Sequence, residues 1–216
     1  MRNYVAGFDP GGKRSFGWCV LEYQDTVPLF VTDAGVVSSA IQAKRKTEEL
    51  CRLAGGEIRA IGVDAPLFWD PSGDRRVDKH LRHIVSGARG DQRTIMPVNS
   101  LNGACLIQGM MIAMLYRECC PRIPVTEAHP KAMLYPVGLN PALQTLASAG
   151  FRGTSPFRVS DTIPDDEHVR DAALAALCAW AMLRKPPNWT DLYRQFGDNT
   201  LSPLAAPLAY YFPAVL

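Results

Sequence analysis

Three short apolar runs in this chain each stop at an acidic residue: 4–8 at Asp9, 60–63 at Asp64 and 122–126 at Glu127. Runs this short, bounded by turn-forming residues, have the length of buried strands and are too short for globular helices. Turn chemistry comes directly after the first two. Asp9-Pro10-Gly11-Gly12 breaks the first run, and Asp64-Ala65-Pro66 blocks a helix from starting at once after the second. In an open α/β sheet, ligands gather outside the carboxyl ends of parallel strands. If the three runs lie side by side and parallel, their acidic ends converge.

The text between them sets the connections. Residues 16–22 and 29–37 read as two more strands, linked tightly enough for an antiparallel meander with the first. The period then changes. Ile41, Leu50 and Leu53, interspersed with Lys44, Arg45, Lys46, Glu48 and Glu49, predict an amphipathic helix over 38–54 that Gly55-Gly56 ends. Within 69–98, Val77, Leu81, Ile84 and Val85 mark another helix, and a longer one runs from about 102 to 119. Asn140-Pro141 resembles a helix start. Residues 165–183 form the clearest helix, with Val169, Ala173, Ala176, Leu177 and Trp180 at helical spacing and Pro186-Pro187 closing it. Strands separated by helices run parallel through crossovers. The expected fold is therefore α/β: a mixed sheet, with a meander at one side and parallel strands in the middle, flanked by helices. Residues 1–185 are expected to form one domain. The stretch 186–216, with Pro203, Pro207 and Pro213, is expected to be an extension packing on that same domain.

Composition narrows the class without naming it. A formal net charge of +2 is too mild to diagnose a nucleic-acid binder and does not exclude one. None of the six cysteines is spaced as Cys-x-x-Cys, so a zinc ribbon or thioredoxin motif is unsupported. Reduced thiols and an N-terminus without an apolar leader fit a cytoplasmic protein. No apolar run is long enough to predict a membrane span.

The acidic ends carry the chemistry. Asp9, Asp64 and Glu127 close strands, and Asp171 lies in the first turns of the last long helix. Like charges a few ångströms apart repel strongly, and divalent cations supply the counter-charge. An oxygen-only donor set suits Mg²⁺ or Mn²⁺ rather than zinc, and two such ions support phosphodiester hydrolysis. Each residue also has a plainer reading, as a turn opener or a favourable charge at a helix N-terminus. His168 stands three residues before Asp171, on the same helix side, suited to position water or bind metal, or simply to face solvent. Asp165 and Asp166 read as helix caps. The loop Gly11-Gly12-Lys13-Arg14-Ser15 lacks Walker spacing, so Lys13 reads as a phosphate contact or as part of a plain hairpin loop. The basic set between 75 and 93, including Arg76, Arg82 and Arg89, is suited to a phosphate backbone. The interleaved Asp70, Asp74, Asp78 and Asp91 equally suit a solvated helix face.

Phe8-Asp9 with Gly12 and Gly17-Trp18 resembles the opening of a family of predicted ribonuclease H-like nucleases, the domain of unknown function 429. Val63-Asp64-Ala65-Pro66-Leu67 resembles its second motif and Glu127-Ala128-His129-Pro130 its third. Arg76-x-Asp78, Arg82 and Gly87-x-Arg89 resemble its central polar segment, and residues 168–173 its final helix. The resemblance covers about residues 4–183. It implies a ribonuclease H-like sheet and a distant kinship with resolvases of the RuvC type, with Asp9, Asp64, Glu127 and Asp171 as metal ligands. Asp64 stands where many of the wider superfamily carry Glu, and the 10–14 loop departs from the family's opening. The expectation is a metal-dependent nuclease acting on DNA or RNA, with His168 in the catalytic group and Lys13, Arg76, Arg82 and Arg89 on the substrate. A homodimer is compatible with it. Two alternatives stay open: an actin-like phosphotransferase, for which the chain is short, and a non-catalytic binding or scaffold module of the same fold.

Overall fold

The computed structural model describes residues 1–23, 30–71, 74–87, 91–96, 103–133, 166–187, 189–197, 200–205 and 207–214. The three N-terminal strands, β1 (Arg2–Asp9), β2 (Phe16–Tyr23) and β3 (Phe30–Val37), form the expected antiparallel meander. After helix α1 (Ala40–Leu53), strand β4 (Gly56–Val63) crosses over to lie parallel to β1 on its other side. Two helices, α2 (Arg76–Gly87) and α3 (Gly103–Cys119), precede the short strand β5 (Val125–Glu127), which is parallel to β4. A single turn, α4 (Pro130–Met133), comes next. The long helix α5 (Glu167–Arg184) starts where the carboxylate of Asp166 accepts the backbone N–H of His168 at 2.7 Å, and it ends at Lys185, whose φ is 48°. A side-chain oxygen on an orphan N–H at one end and a left-handed residue at the other are the ordinary helix stops. The helix start at Asn140-Pro141 lies outside the described residues, as does Asp165.

The last stretch does more than wrap the core. It supplies β6 (Trp189–Asp191), the short helix α6 (Leu192–Phe196) and β7 (Leu208–Pro213). Strand β7 enters the sheet parallel to β5, and β6 pairs antiparallel on its outer side. The seven strands therefore run in the order β3-β2-β1-β4-β5-β7-β6. Prolines at 203, 207 and 213 concealed this strand, because proline inside a run argues against a ladder position. In fact Pro207 precedes β7 and Pro213 ends it. The α/β mixed sheet flanked by helices agrees with the fold class read from the sequence, in a layout consistent with a ribonuclease H-like sheet.

Helices cover both faces, and side chains alternate between them along each strand. Phe8 packs on Tyr116 of α3, with ring centroids 5.8 Å apart, so Phe8 and its β4 partner Val63 face α3. Gly7 and its partner Gly62 face the opposite way, against α5. A methyl group built on Gly7 would lie 1.9 Å from the carbonyl oxygen of Ala172, one on Gly62 1.8 Å from that of Ala175, and one on Gly17 2.1 Å from that of His168. Three strand glycines thus form a groove into which the alanine-rich α5 sinks backbone to backbone. Nearly every residue of α5 from Val169 to Met182 is buried as a result.

Candidate functional site

The glycine groove decides where the acids go. Asp9 pairs with Gly17 across β1 and β2, and it lies two residues beyond Gly7. Asp64 lies two residues beyond Gly62, and its N–H donates to the Phe8 carbonyl at 2.8 Å, which sets it beside Asp9. Both carboxylates therefore belong to the α5 face, at the carboxyl end of two adjacent parallel strands. Asp171, buried in α5, comes down onto the same edge because α5 sits so close to the sheet. Burial raises the Asp64 carboxyl well above the ordinary range, and the charges of Asp9, Asp171 and, least, Glu127 raise it further. Burial also raises Asp171, against the neighbouring Arg170. Among the described residues, no donor reaches the Asp64 carboxylate within hydrogen-bond distance.

Glu127 does not join them as a free fourth ligand. It pairs with Val63 in the sheet and therefore faces the α3 side, away from α5. There its Oε1 accepts from Arg75 Nη2 at 2.7 Å, and its Oε2 accepts from Arg75 Nη1 and from the N–H of Leu67, both at 2.9 Å. Arg75 also donates to both oxygens of Asp78, at 2.8 and 2.9 Å, and to the carbonyl of Phe68 at 3.0 Å. All three charged side chains are almost fully buried. Burial opposes the charge on Arg75, but Glu127 and Asp78 outweigh it and raise its pKa. Both oxygens of Glu127 are thus engaged by Arg75 and the Leu67 N–H, although Glu127 lines one small cavity together with Asp64.

The other acids also have basic partners. His168 Nδ1 lies 2.6 Å from Asp9 Oδ2, and the hydrogen bond with Asp9 raises the pKa of the imidazole. Arg170 Nε donates to Asp171 Oδ1 at 2.8 Å. The exposed ammonium of Lys131 in α4 partly offsets the rise at both Asp64 and Asp171. The protein thus supplies part of the counter-charge that sequence reasoning assigned entirely to divalent ions. Among the described residues, no three His, Cys, Asp or Glu side chains are grouped closely enough to hold one metal ion as they stand.

The expected substrate contacts divide. Lys13 is exposed in the turn after Asp9. Arg76 is exposed and stacks over Phe196, 5.9 Å from the ring centroid. Arg82 is partly buried, with its guanidinium on Asp74 and on the Ile95 carbonyl at 3.2 Å. Arg89 lies outside the described residues. Sequence reasoning passed over Lys131, Arg170 and Gln108, and it placed Arg75 in the basic set suited to a phosphate backbone, whereas Arg75 is buried on Asp78 and Glu127. Gln108 clips the loop after Asp9: its Oε1 accepts the Ala40 N–H at 2.8 Å, and its Nε2 donates to the Gly11 carbonyl at 3.3 Å. The signal that was available for Arg75 is its position three residues before Asp78, on one side of a helix start.

No helix among the described residues is long and apolar enough to cross a membrane. No family model, no curated protein and no solved structure matches the chain.

Proposed function

We propose that this protein is a Mg²⁺- or Mn²⁺-dependent nuclease or phosphodiesterase whose metal-binding acids are Asp9, Asp64 and Asp171. One observation carries the reading: a glycine groove seats α5 so deeply that three carboxyls from three elements share one sheet edge, and the middle one, Asp64, has no donor among the described residues. Burying acids together in this way is unfavourable unless something relieves the repulsion. The donor set is oxygen only, which suits a hard cation. A divalent ion bound there supplies positive charge for the phosphoryl oxygens as negative charge builds up on them.

The chain's own groups divide the remaining work. Asp9 orients His168 through the 2.6 Å contact, which keeps the imidazole basic and within reach of the same edge. Protonated His168 can donate a proton to a departing oxygen; neutral His168 can accept one from water. Arg170 holds Asp171 in place. Glu127 serves the reading indirectly, because its network with Arg75 and the Leu67 N–H fixes the turn after Asp64.

The test is cleavage of single-stranded, branched and hybrid oligonucleotides in Mn²⁺ by wild type, Asp9→Asn and Asp64→Asn. Wild-type cleavage that falls by a hundredfold or more in both variants, with unchanged circular dichroism, is the expected result, on the order of the effect of removing an essential charged group. Equal cleavage by all three proteins would assign the activity to another site or a contaminant and end the proposal.

A further inference from the structure

Beside the acidic edge lies an open cleft of about 660 Å³ that none of the roles given to the acids uses. Its walls are the end of β3, the first turns of α1, Arg14 from the loop after Asp9, and Asp166 at the start of α5. Three cations line it: Arg14, Arg45 and Lys46, all exposed. Among the described residues none of the three forms an ion pair. Arg2, Arg59, Arg93 and Arg194, by contrast, are each held by an acidic neighbour, while Lys13, Arg52 and Arg122 are exposed and, like the cleft cations, form no ion pair among the described residues. Two acids also line the cleft: Glu49, and Asp166, whose carboxylate caps α5. Three positive charges therefore face two negative ones, a net positive lining.

The cleft is built into the site. Arg14 has φ 59°, a left-handed conformation that residues other than glycine rarely adopt, and its N–H donates to the Ser38 hydroxyl at 3.1 Å across the cleft wall. The Gln108 clip holds the same loop at Gly11 and the start of α1 at Ala40. Arg14 therefore stands at a defined place five residues past Asp9, and Asp166 stands two residues before His168. A strand lying in the cleft would therefore lie near the Asp9–His168 pair, whose imidazole feels the charge of Asp166. Clefts of this volume accommodate a drug-sized ligand, about the bulk of two nucleotides.

We propose that this cleft seats the phosphodiester backbone of a nucleic-acid strand next to the scissile phosphate, with Arg14, Arg45 and Lys46 against phosphate oxygens. The proposal rests on the nuclease reading of the acidic edge and adds the direction from which substrate arrives. Contacts of this kind position a strand without reading its sequence.

The experiment is fluorescence anisotropy of a short labelled single-stranded oligonucleotide in EDTA, as a function of salt. Wild type is compared with Arg14→Gln/Arg45→Gln/Lys46→Gln, with Arg45→Gln alone, and with Arg52→Gln/Arg122→Gln as a control that removes charge away from the cleft. Each lost single-strand phosphate contact lowers the log–log salt slope by about 0.7, so the triple variant loses about 2 from the slope and binds about a hundredfold more weakly near 0.1 M salt. Arg45→Gln alone loses about a third of that slope. A triple variant within twofold of wild type, or a control that weakens equally, overturns the cleft assignment. So does displacement of the oligonucleotide by pyrophosphate at matched ionic strength, which would mark a site for free phosphate compounds. Mn²⁺-dependent cleavage by wild type is measured in parallel. Cleavage with unchanged binding by the triple variant sinks the cleft alone; weakened binding without any wild-type cleavage sinks the chemistry and leaves the cleft.

Discussion

Replacing Gly62 by alanine tests the packing that brings the acids together. The added methyl carbon would stand 1.8 Å from the Ala175 carbonyl oxygen and 2.6 Å from its carbon. Such contacts are essentially never seen below 3.0 Å, so α5 or β4 must give way by at least 1.2 Å. Neither side can yield by a rotamer change, because the offended atoms are backbone and the surrounding α5 residues are buried on all sides. Overpacking of a well-packed core costs roughly 1–3 kcal/mol, and occasionally more. A backbone-on-backbone clash belongs at the upper end, so we expect about 3 kcal/mol. For a chain of this length that corresponds to a fall of about 6–12 °C in Tm. Urea unfolding followed by circular dichroism measures it, with Gly87→Ala as the control, since a methyl there meets nothing within 4 Å. The control is expected to stay within about 0.5 kcal/mol of wild type. Where Gly62→Ala still folds, a displaced α5 carries Asp171 away from Asp64, and Mn²⁺-dependent cleavage falls with it. A Gly62→Ala protein as stable as wild type would refute the groove argument, and with it the reason for the acids' convergence.

The buried polar groups give two further expected outcomes. Arg75→Met leaves Glu127 and Asp78 buried without their partner, and loss of one side of a buried pair costs about 3–5 kcal/mol, read as a shift in the urea midpoint. A loss below about 1 kcal/mol would show that the network is solvated. Burial lowers the pKa of His129, whose Nε2 lies 3.1 Å from the Thr94 carbonyl and donates to it in the neutral form. The unfolded imidazole takes up its proton near pH 6.5 and the folded one only at lower pH. The stability His129 contributes above that point is lost as pH falls through the folded value. Wild type is thus expected to lose more stability than His129→Asn between about pH 7.5 and about pH 5; the reverse trend would contradict the burial.

The strands and helices were legible wherever local pattern coincided with burial. The meander, α1, α3 and α5 stand close to where periodicity and turn residues put them. The buried face of α1 was misjudged: Ala40, Ala43, Thr47 and Cys51 are buried, while Ile41 and Leu53 are exposed. α5 is buried nearly all round rather than along one stripe. The C-terminal strands were hidden by prolines that bracket β7 and do not interrupt it. At the site, the convergence of Asp9 and Asp64 was legible from two strand ends. What periodicity could not tell was the face on which each acid emerges, since that depends on the sheet register between distant strands. Glu127 pairs with Val63 and not with the residue beside it, and that one step sends it to the opposite side, onto Arg75. Gly7, Gly17 and Gly62 could have served as the signal, because glycine inside a strand pattern often marks a close approach of another backbone.

The central claim is that Asp9, Asp64 and Asp171 together hold a divalent cation while Glu127 does not. Mn²⁺ binding by isothermal titration calorimetry, on wild type and on Asp64→Asn confirmed to be folded, tests it most directly. The account predicts saturable binding by wild type that Asp64→Asn abolishes, with electron-density or paramagnetic-relaxation signals centred on Asp64 and absent from Glu127. A folded wild type that takes up no Mn²⁺ at millimolar concentration, or an Asp64→Asn protein that binds it equally well, would contradict it.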